Sequence, residues 1–354
     1  MSRPNDFVPD DLGRRPEFPE LPSIAAERLP LLVTGIAGVA GYQAFLALRA
    51  RYGTAVFGQR RRDNRRLTGP GVLAFDLEDP VALRQAFETH RFRSVLDAGG
   101  SCALKHCEAD PAMAERVNVA ATQLVIDQVR RFGARLVRLS IDLVHGGGAG
   151  GGHVEEDRAE PVTVYGRTML DAERRVAEQL PEALMLRISL PMGPSFNGHA
   201  GAIDWIRHRF RHGKPATLYF DEVRTPTYTD CLNPIFERAL AGNEAGLLHC
   251  GGVRPLSLYE IGQIVSRVGG YDPTLLRGCY RIEAGPMPPR AGNVTLDSRR
   301  LSRVLALPAC APWPEREEQV PTDRRWHERR DGESGSEALL EATLFRRSTG
   351  ARLA

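Results

Sequence analysis

The segment VTGIAGVAG, residues 33–41, combines small residues in a spacing that can bind a phosphate group. Its glycines stand three residues apart, between an apolar run and a helical pattern. Glycine lets the turn tighten and lets a pyrophosphate approach the backbone amides at a helix N-terminus. The segment therefore predicts a dinucleotide site, the alternative being a helix that only packs closely through glycine. The residues expected to contact the cofactor in this turn are Gly35, Ala37, Gly38, Val39 and Gly41.

A tyrosine that could donate a proton, Tyr165, lies in VYGRTML, residues 164–170. A phenol has a pKa of about 10 unless a neighbouring cation favours the ionised form. On a helix the residue four positions later shares its face, and here that residue is Met169, which carries no charge. The same face continues with Ala172 and Val176, so a packing role for Tyr165 is an open alternative to catalysis.

Several arginines follow the second apolar run, in GQRRRDNRR, residues 58–66. An acid at this point usually binds the ribose of NAD, whereas arginines can form charge-assisted bonds to a 2′-phosphate. The pattern favours NADP(H) bound through Arg60 and Arg61, while Asp63 keeps NAD open. Two residues after the third apolar run are expected to meet the adenine: Asp76 and Leu77.

Apolar runs alternate with helical patterns along most of the chain, and the rhythm breaks into shorter pieces after Pro191. Strand and helix in alternation predict an α/β fold, a Rossmann-type doubly wound parallel sheet. A smaller, partly interleaved C-terminal substrate domain is expected to follow. The predicted organisation is a polar tail over 1–30, an NADP-binding domain over 31–191, a substrate-binding domain over 192–312 and a flexible tail over 313–354.

Composition excludes several classes of protein. A formal net charge of +3 over 354 residues gives no case for nucleic acid, and no apolar run is long enough to span a membrane. The N-terminal residues show no secretion signal, so we expect a cytoplasmic protein whose 6 cysteines are free thiols. CALKHC, residues 102–107, has no second ligand pair at zinc-like spacing, and no metal site is predicted.

Seven motifs together resemble the extended short-chain dehydrogenase/reductase superfamily, in particular the branch of dTDP-4-dehydrorhamnose reductase and its relatives: VTGIAGVAG, FDLEDP, LDAGGSCALKHCEADP, ERVNVAAT, LSIDLVHGG, VTVYGRT and DEVRTPTYTD. The resemblance implies a Rossmann domain that holds NADP(H), a smaller domain over a sugar nucleotide, and hydride transfer to a 4-keto carbon. It implies that Tyr165 contacts the cofactor and protonates the nascent alkoxide. It adds Ala98, Gly99, Gly100 and Leu190 to the cofactor site, and Asn197 and Arg224 to the substrate site.

Two catalytic positions depart from that family. The hydroxyl that assists the tyrosine falls on Ile141, and the lysine four residues beyond the tyrosine falls on Met169. Ser140 is adjacent to the first position, but strand alternation directs it to the opposite side. His145 is the better substitute because an imidazole can donate a proton near neutral pH, its alternative role being to replace an aromatic ring in packing.

These residues lead to two hypotheses of function. The first is an NADPH-dependent reductase of a 4-keto-deoxysugar nucleotide with a degraded catalytic set. The second is a non-catalytic scaffold or regulatory subunit that binds NADP or a sugar nucleotide, since general acid–base assistance worth about 10²–10⁴ in rate is impaired. A homodimer or an enzyme partner is compatible with both.

Overall fold

A seven-stranded parallel sheet forms the centre of the computed structural model, which describes residues 22–101, 103–148, 150–285, 288–329 and 331–346. The strands within these residues are β1 (Leu31–Val33), β2 (Val56–Arg60), β3 (Val72–Ala74), β4 (Ser94–Asp97), β5 (Arg135–Ile141), β6 (Leu184–Ile188), β7 (Pro191–Met192), β8 (Ala216–Tyr219), β9 (Val223–Arg224), β10 (Thr227–Tyr228), β11 (Gly246–Cys250), β12 (Leu256–Ser257) and β13 (Leu276–Cys279). The central sheet has the order β11-β6-β5-β4-β1-β2-β3. The predicted Rossmann-type fold is confirmed.

Helices cover both faces of the sheet. They are α1 (Val39–Tyr52), α2 (Pro80–His90), α3 (Leu104–Ala109), α4 (Pro111–Ala114), a π-helical segment (Glu115–Ala120), α5 (Ala121–Phe132), α6 (Val164–Gln179), α7 (Asp204–Arg211), α8 (Thr229–Ala241), α9 (Leu258–Val268), α10 (Arg299–Leu305) and α11 (Glu337–Leu344). Short 3₁₀ turns cover Ala26–Arg28, Gly53–Ala55, Asp142–Val144, Pro273–Leu275, Arg281–Ala284, Glu317–Gln319 and Trp326–Glu328.

Strand β1 shows why two layers of helices form. Its side chains alternate in direction, so Leu31 and Val33 pack with α1 and α8, while Leu32 packs with α2 and α5. All three are buried, as expected for a strand covered on both faces. Strand order reverses between β1 and β4, and their carboxyl ends open the crevice in which this class of sheet binds ligands.

The C-terminal half contributes to the same sheet. Strand β11 pairs with β6 at the edge, and α8 packs against α1, so both lie within the Rossmann layers. The other strands of this half form three small two-stranded sheets: β7 with β10, β9 with β12, and β8 with β13. A boundary at residue 191 therefore marks the start of the smaller elements, and the chain returns to the main sheet after it.

The prediction of a flexible tail from residue 313 is wrong for the described residues. Trp313 is fully buried, and Trp326 joins the same core as Trp313. Helix α11 follows, with its apolar face against α9. Trp313, Trp326, Leu340 and Leu344 stabilise this segment by burying apolar surface in the core. Their irregular spacing in the sequence gives no helical or strand period. Residues 347–354 lie outside the described part.

The N-terminal prediction is corrected in part. Residues 1–21 of the expected polar tail lie outside the described residues. Residues 22–30 contact the body of the protein, since Ile24 is buried and Nη1 of Arg28 donates to the carbonyl oxygen of Leu240 at 3.2 Å.

Other sequence predictions can be compared with the described residues. The cysteines among them, Cys107, Cys231, Cys250, Cys279 and Cys310, are free thiols. Within the same part of the chain, no helix has the length and apolar character to cross a membrane, and no group of three or more candidate ligands could hold a metal ion.

Candidate active site

The turn between β1 and α1 leaves room for a ligand beside the backbone. Gly35 has a φ of +62°, and a Cβ there would lie 2.2 Å from the carbonyl oxygen of Ala98. A Cβ on Gly41 would lie 2.7 Å from the carbonyl oxygen of Gly35, so helix and turn meet through glycine. Gly38 caps α1 and no side chain bonds the first amides of this 14-residue helix. These amides and the helix dipole suit a pyrophosphate.

A cleft of about 430 Å³ runs from this turn along the carboxyl ends of the strands. It is lined by 13 of the 14 residues that the sequence assigns to the cofactor: Gly35, Ala37, Gly38, Val39, Gly41, Arg60, Arg61, Leu77, Ala98, Gly99, Gly100, Tyr165 and Leu190. Asp76 is the exception, because its carboxylate lies behind the arginine loop, where Oδ1 accepts from the amide of Arg62 at 3.2 Å.

Arg60 and Arg61, at the end of the cleft next to β2, have different hydrogen-bond partners. Arg60 donates to carbonyl oxygens of its own loop, through Nε to Leu67 at 2.6 Å and through Nη1 to Arg61 at 2.8 Å. Nη1 of Arg61 donates to Oε1 of Glu78 at 2.6 Å, and Glu78 also lines the cleft. The guanidinium groups are thus fixed beside the end of β2, where an adenosine ribose is bound in this fold class.

Tyr165 and Met169 line the opposite end of the cleft, one turn apart on α6. Tyr165 is 7% exposed, and Ile141 lines the cleft with it. Two bonds fix the start of this helix: Thr163 Oγ1 accepts from the amide of Gly166 at 2.9 Å, and Oε1 of Glu108 accepts from the amide of Val164 at 2.6 Å. Neither lysine of the chain, Lys105 or Lys214, lines the cleft.

Ser140 does not supply the missing hydroxyl, although it borders the cleft. Its Oγ donates to Oε1 of Glu173 at 2.5 Å, and Nε of Arg187 donates to the same carboxylate oxygen at 2.9 Å. The group is buried between β5, β6 and α6. Strand alternation is the reason, since Ile141 faces the cleft and its neighbour must face the other way. The assignment of Ser140 to catalysis is therefore corrected.

His145 does not substitute as a proton donor either. It is 1% exposed, outside the cleft lining, and its ring stacks on His153 with centroids 4.0 Å apart. Its Nε2 lies 3.4 Å from Nη1 of Arg187. Burial, followed by the charges of His153, Arg187 and His249, lowers the pKa of His145 to about 3. The imidazole is neutral near pH 7 and packs beneath the site, which corrects the catalytic prediction.

The two residues expected to bind substrate lie in different places. Arg224, on β9, lines the cleft, and its Nε donates to Oδ2 of Asp142 at 2.6 Å. Asn197 is exposed on the loop after β7, and its Oδ1 accepts from the amides of His199 and Ala200. It borders a separate cavity next to α7, so a substrate contact in the cleft is not supported for Asn197.

Asn118 is a buried residue behind the cleft lining whose bonds the sequence analysis did not predict. It lies in the π-helical segment and is fully buried. Its Oδ1 accepts from the amide of Ser101 at 2.7 Å, and its Nδ2 donates to Oγ1 of Thr168 at 2.9 Å. The asparagine thereby ties the turn after β4 to the helix of Tyr165. The available signal in the sequence was an asparagine among apolar residues of a helical segment, ERVNVAAT. The structure adds a π-helical turn at this position, a feature that is frequent at functional sites.

Comparison with known proteins agrees with this architecture. The family model described as RmlD substrate binding domain matches residues 30–322. A dTDP-4-dehydrorhamnose reductase of Streptomyces griseus is 29% identical over 255 residues, covering 70% of this chain and 78% of the relative. The methionine adenosyltransferase 2 subunit beta of Danio rerio is 24% identical, covering 84% of this chain and 93% of its own. The crystal structure of dTDP-4-dehydrorhamnose reductase from Bacillus anthracis in complex with NADP has a TM-score of 0.66 at 17% identity, covering 80% of this chain and 95% of that chain.

Proposed function

Because the chain belongs to the RmlD substrate binding domain family, we propose that it is an NADPH-dependent reductase of a 4-keto-deoxysugar nucleotide. The observation that carries the proposal is a single cleft lined both by the glycine turn and by the phenol of Tyr165. The named activity of the Streptomyces griseus relative supports the choice of substrate.

The residues that would hold the cofactor follow from the cleft. The amides at the start of α1 would bind the pyrophosphate, and Arg60 and Arg61 would face the 2′-phosphate. The NADP complex of the Bacillus anthracis protein supports NADP(H). NAD stays open as the weaker choice, because Glu78 already pairs with the guanidinium of Arg61 that would bind the 2′-phosphate. When bound, NADPH supplies a hydride for a carbonyl carbon.

Tyr165 carries the acid role in this proposal. With NADPH bound, the phenol of Tyr165 would donate its proton to the carbonyl oxygen of the substrate as the carbonyl carbon is reduced to the alcohol, and the phenolate would then regain a proton from solvent. The 7% exposure of the tyrosine suits this role, because water is largely excluded while the group still borders the cleft. The turnover is expected to be slow, because Met169 and Ile141 carry neither charge nor hydroxyl.

The test is an assay of NADPH oxidation by the purified chain with dTDP-4-dehydrorhamnose, with identification of the sugar product. The reductase should consume both reactants in equal amounts, and Tyr165→Phe should lower the rate by at least about tenfold. Cofactor consumption no faster than in the absence of sugar would remove the proposal.

A second candidate is a binding protein without turnover, acting as a scaffold or as a regulatory subunit of another enzyme. The apolar pair Ile141 and Met169 beside Tyr165 favours it, as does the similarity to the Danio rerio subunit. Calorimetry would then give NADP binding in the absence of any sugar reduction, and a partner enzyme would copurify. Absence of any nucleotide binding would contradict both candidates.

A further inference from the structure

A buried ion pair joins the substrate side of the cleft to the strand that carries the catalytic region. Arg224 on β9 donates through Nε and Nη2 to the two carboxylate oxygens of Asp142, directly after β5. The hydroxyl of Ser189 donates to the same carboxylate at 2.6 Å. Asp142 is fully buried and Arg224 nearly so, which means that the guanidinium is held in one orientation.

The turn that carries Asp142 packs against the start of the helix of Tyr165, since a Cβ on Gly166 would lie 2.3 Å from the carbonyl oxygen of Leu143. Arg224, bound to Asp142, is thereby held on the side of the cleft where the phenol lies. Both side chains line the one cleft, together with Asp142. Burial opposes the charge of Arg224, but Asp142, Glu222 and Tyr165 outweigh it and hold the pKa of Arg224 above its usual value. Arg224 therefore stays positively charged next to the phenol.

Part of the guanidinium is not used by Asp142. Asp142 is bonded by Nε and Nη2, whereas Nη1 lies 3.7 Å from Oε1 of Glu222, beyond hydrogen-bond distance. Burial raises the pKa of Glu222, which weakens the competition from this second carboxylate. One edge of the cation is thus available to an ionised tyrosine.

The other charged residues on the elements around the phenol are exposed to solvent or bonded to the backbone. On α3, Lys105 and His106 are exposed, while Glu108 accepts from the backbone of α6. Glu115 and Arg116 of the π-helical segment are exposed. No other arginine or lysine among the described residues lines this end of the cleft, since Arg60 and Arg61 lie at the adenosine end.

We propose that Arg224, fixed by Asp142, provides the positive charge that stabilises the ionised form of Tyr165, in place of the lysine that Met169 replaces. Arg224 acts through the tyrosine and is a positioning residue rather than a proton donor. Its effect on turnover rests on the proposed reductase function, whereas its effect on the ionisation of Tyr165 does not. The pairing with Asp142 makes the effect smaller than that of a free cation, because the carboxylate cancels part of the field.

The ionisation of Tyr165 can be measured without turnover. Ultraviolet difference titration of the full chain, with and without NADP⁺, is compared with that of the Tyr165→Phe chain, so that the other tyrosines cancel. Each further variant is measured beside its own Tyr165→Phe counterpart. Arg224→Met should raise the pKa of Tyr165 by about one unit, and Arg224→Lys by less, because an opposite charge nearby favours the ionised form.

Asp142→Asn provides the opposite change. It removes the carboxylate but keeps Arg224, so the cation acts undiminished and the pKa of Tyr165 should fall. A general loosening of the site cannot move the two variants in opposite directions. If Arg224→Met does not fold, Arg224→Lys and Asp142→Asn decide the question. An ionisation of Tyr165 that is the same in wild type, Arg224→Lys and Asp142→Asn would overturn the proposal.

Steady-state assays on the same proteins separate this proposal from the function. Opposite shifts in the titration without any sugar reduction would support the charge role of Arg224 and reject the reductase. Sugar reduction by a chain whose Tyr165 ionisation does not respond to either variant would keep the reductase and reject the role of Arg224. In an active chain, the alkaline limit of the reduction rate should follow the pKa of Tyr165 in each variant.

Discussion

Met169 occupies the position from which a lysine would reach the phenol one helical turn away. Its side chain is 4% exposed and packs in an apolar cluster with Leu143 and Val164. A thioether packs well there but offers neither a donor nor a charge. The helix thus keeps the geometry of a catalytic element while its chemistry depends on the groups that remain around the phenol.

Met169→Lys should raise the rate of sugar reduction by at least about tenfold, because the added cation favours transfer of the phenolic proton. The change buries a long charged side chain, so a loss of thermal stability is expected beside the gain in rate. The measurement is kcat with NADPH and dTDP-4-dehydrorhamnose, together with the melting temperature.

Met113→Lys is the matched control for this prediction. Met113 packs against the same apolar cluster but does not line the cleft. It should lower stability without raising the rate. A rate gain in both variants, or in neither, would contradict the assignment of position 169 to the catalytic set.

The turn between β1 and α1 can be tested as a unit through its first glycine. Gly35→Ala should weaken NADPH binding by at least about tenfold, because the new Cβ would lie 2.2 Å from the backbone of Ala98 and the turn must open. Isothermal calorimetry with NADPH gives the dissociation constant directly.

Gly53→Ala is a suitable comparison because it separates backbone strain from steric conflict. Gly53 also has a positive φ, +58°, but a Cβ there would meet no atom within 4 Å. A positive φ strains an alanine at both positions, at a cost of about 1–3 kcal/mol. Gly53→Ala should therefore lose stability and keep cofactor affinity. Equal loss of affinity in the two variants would show that the turn is not the binding element.

Local rules were enough to predict several elements from sequence. The spacing of glycines predicted the turn, and strand alternation predicted that Ser140 points away from the cleft, as it does with its Oγ donating to Glu173. His145 shows where such rules end. Its neighbours Arg187 and His249 lie on β6 and β11, so its burial follows from the assembled sheet and not from its own segment.

The C-terminal residues illustrate the same limit for the molecule as a whole. A charged, weakly periodic sequence predicted a tail, yet the indole Nε1 of Trp313 donates to the carbonyl oxygen of Leu344 at 3.0 Å, so the segment closes on itself. Arg207 and Arg211 of α7 pair with Glu337 of α11, more than a hundred residues later in the chain. Contacts between segments so distant in sequence leave no local pattern by which they could be predicted.

Glu337 joins this segment to the body of the protein and should make its attachment sensitive to acid. Its carboxylate accepts from Arg207 Nη2 at 2.8 Å and from Arg211 Nε at 2.7 Å, and the hydroxyl of Tyr271 donates to it as well. Burial opposes its ionisation, but these hydrogen bonds outweigh burial and lower the pKa of Glu337 from 4.5 to about 2. A carboxylate with a depressed pKa in the folded state stabilises that state above its unfolded pKa, and the contribution is lost as the pH falls through the folded value.

Glu337→Gln should therefore lower the stability of the chain by about 1 kcal/mol near neutral pH, a modest figure because the group is partly exposed to solvent. The difference from wild type should shrink as the pH falls from about 4.5 towards 2, since wild type then loses the same charge. Glu333→Gln is the control, because Glu333 forms an exposed pair with Arg316 and its loss should leave stability unchanged at every pH. Urea unfolding of the three proteins across this range measures the effect. A difference between Glu337→Gln and wild type that does not change with pH would mean that the carboxylate charge does not hold α11 in place.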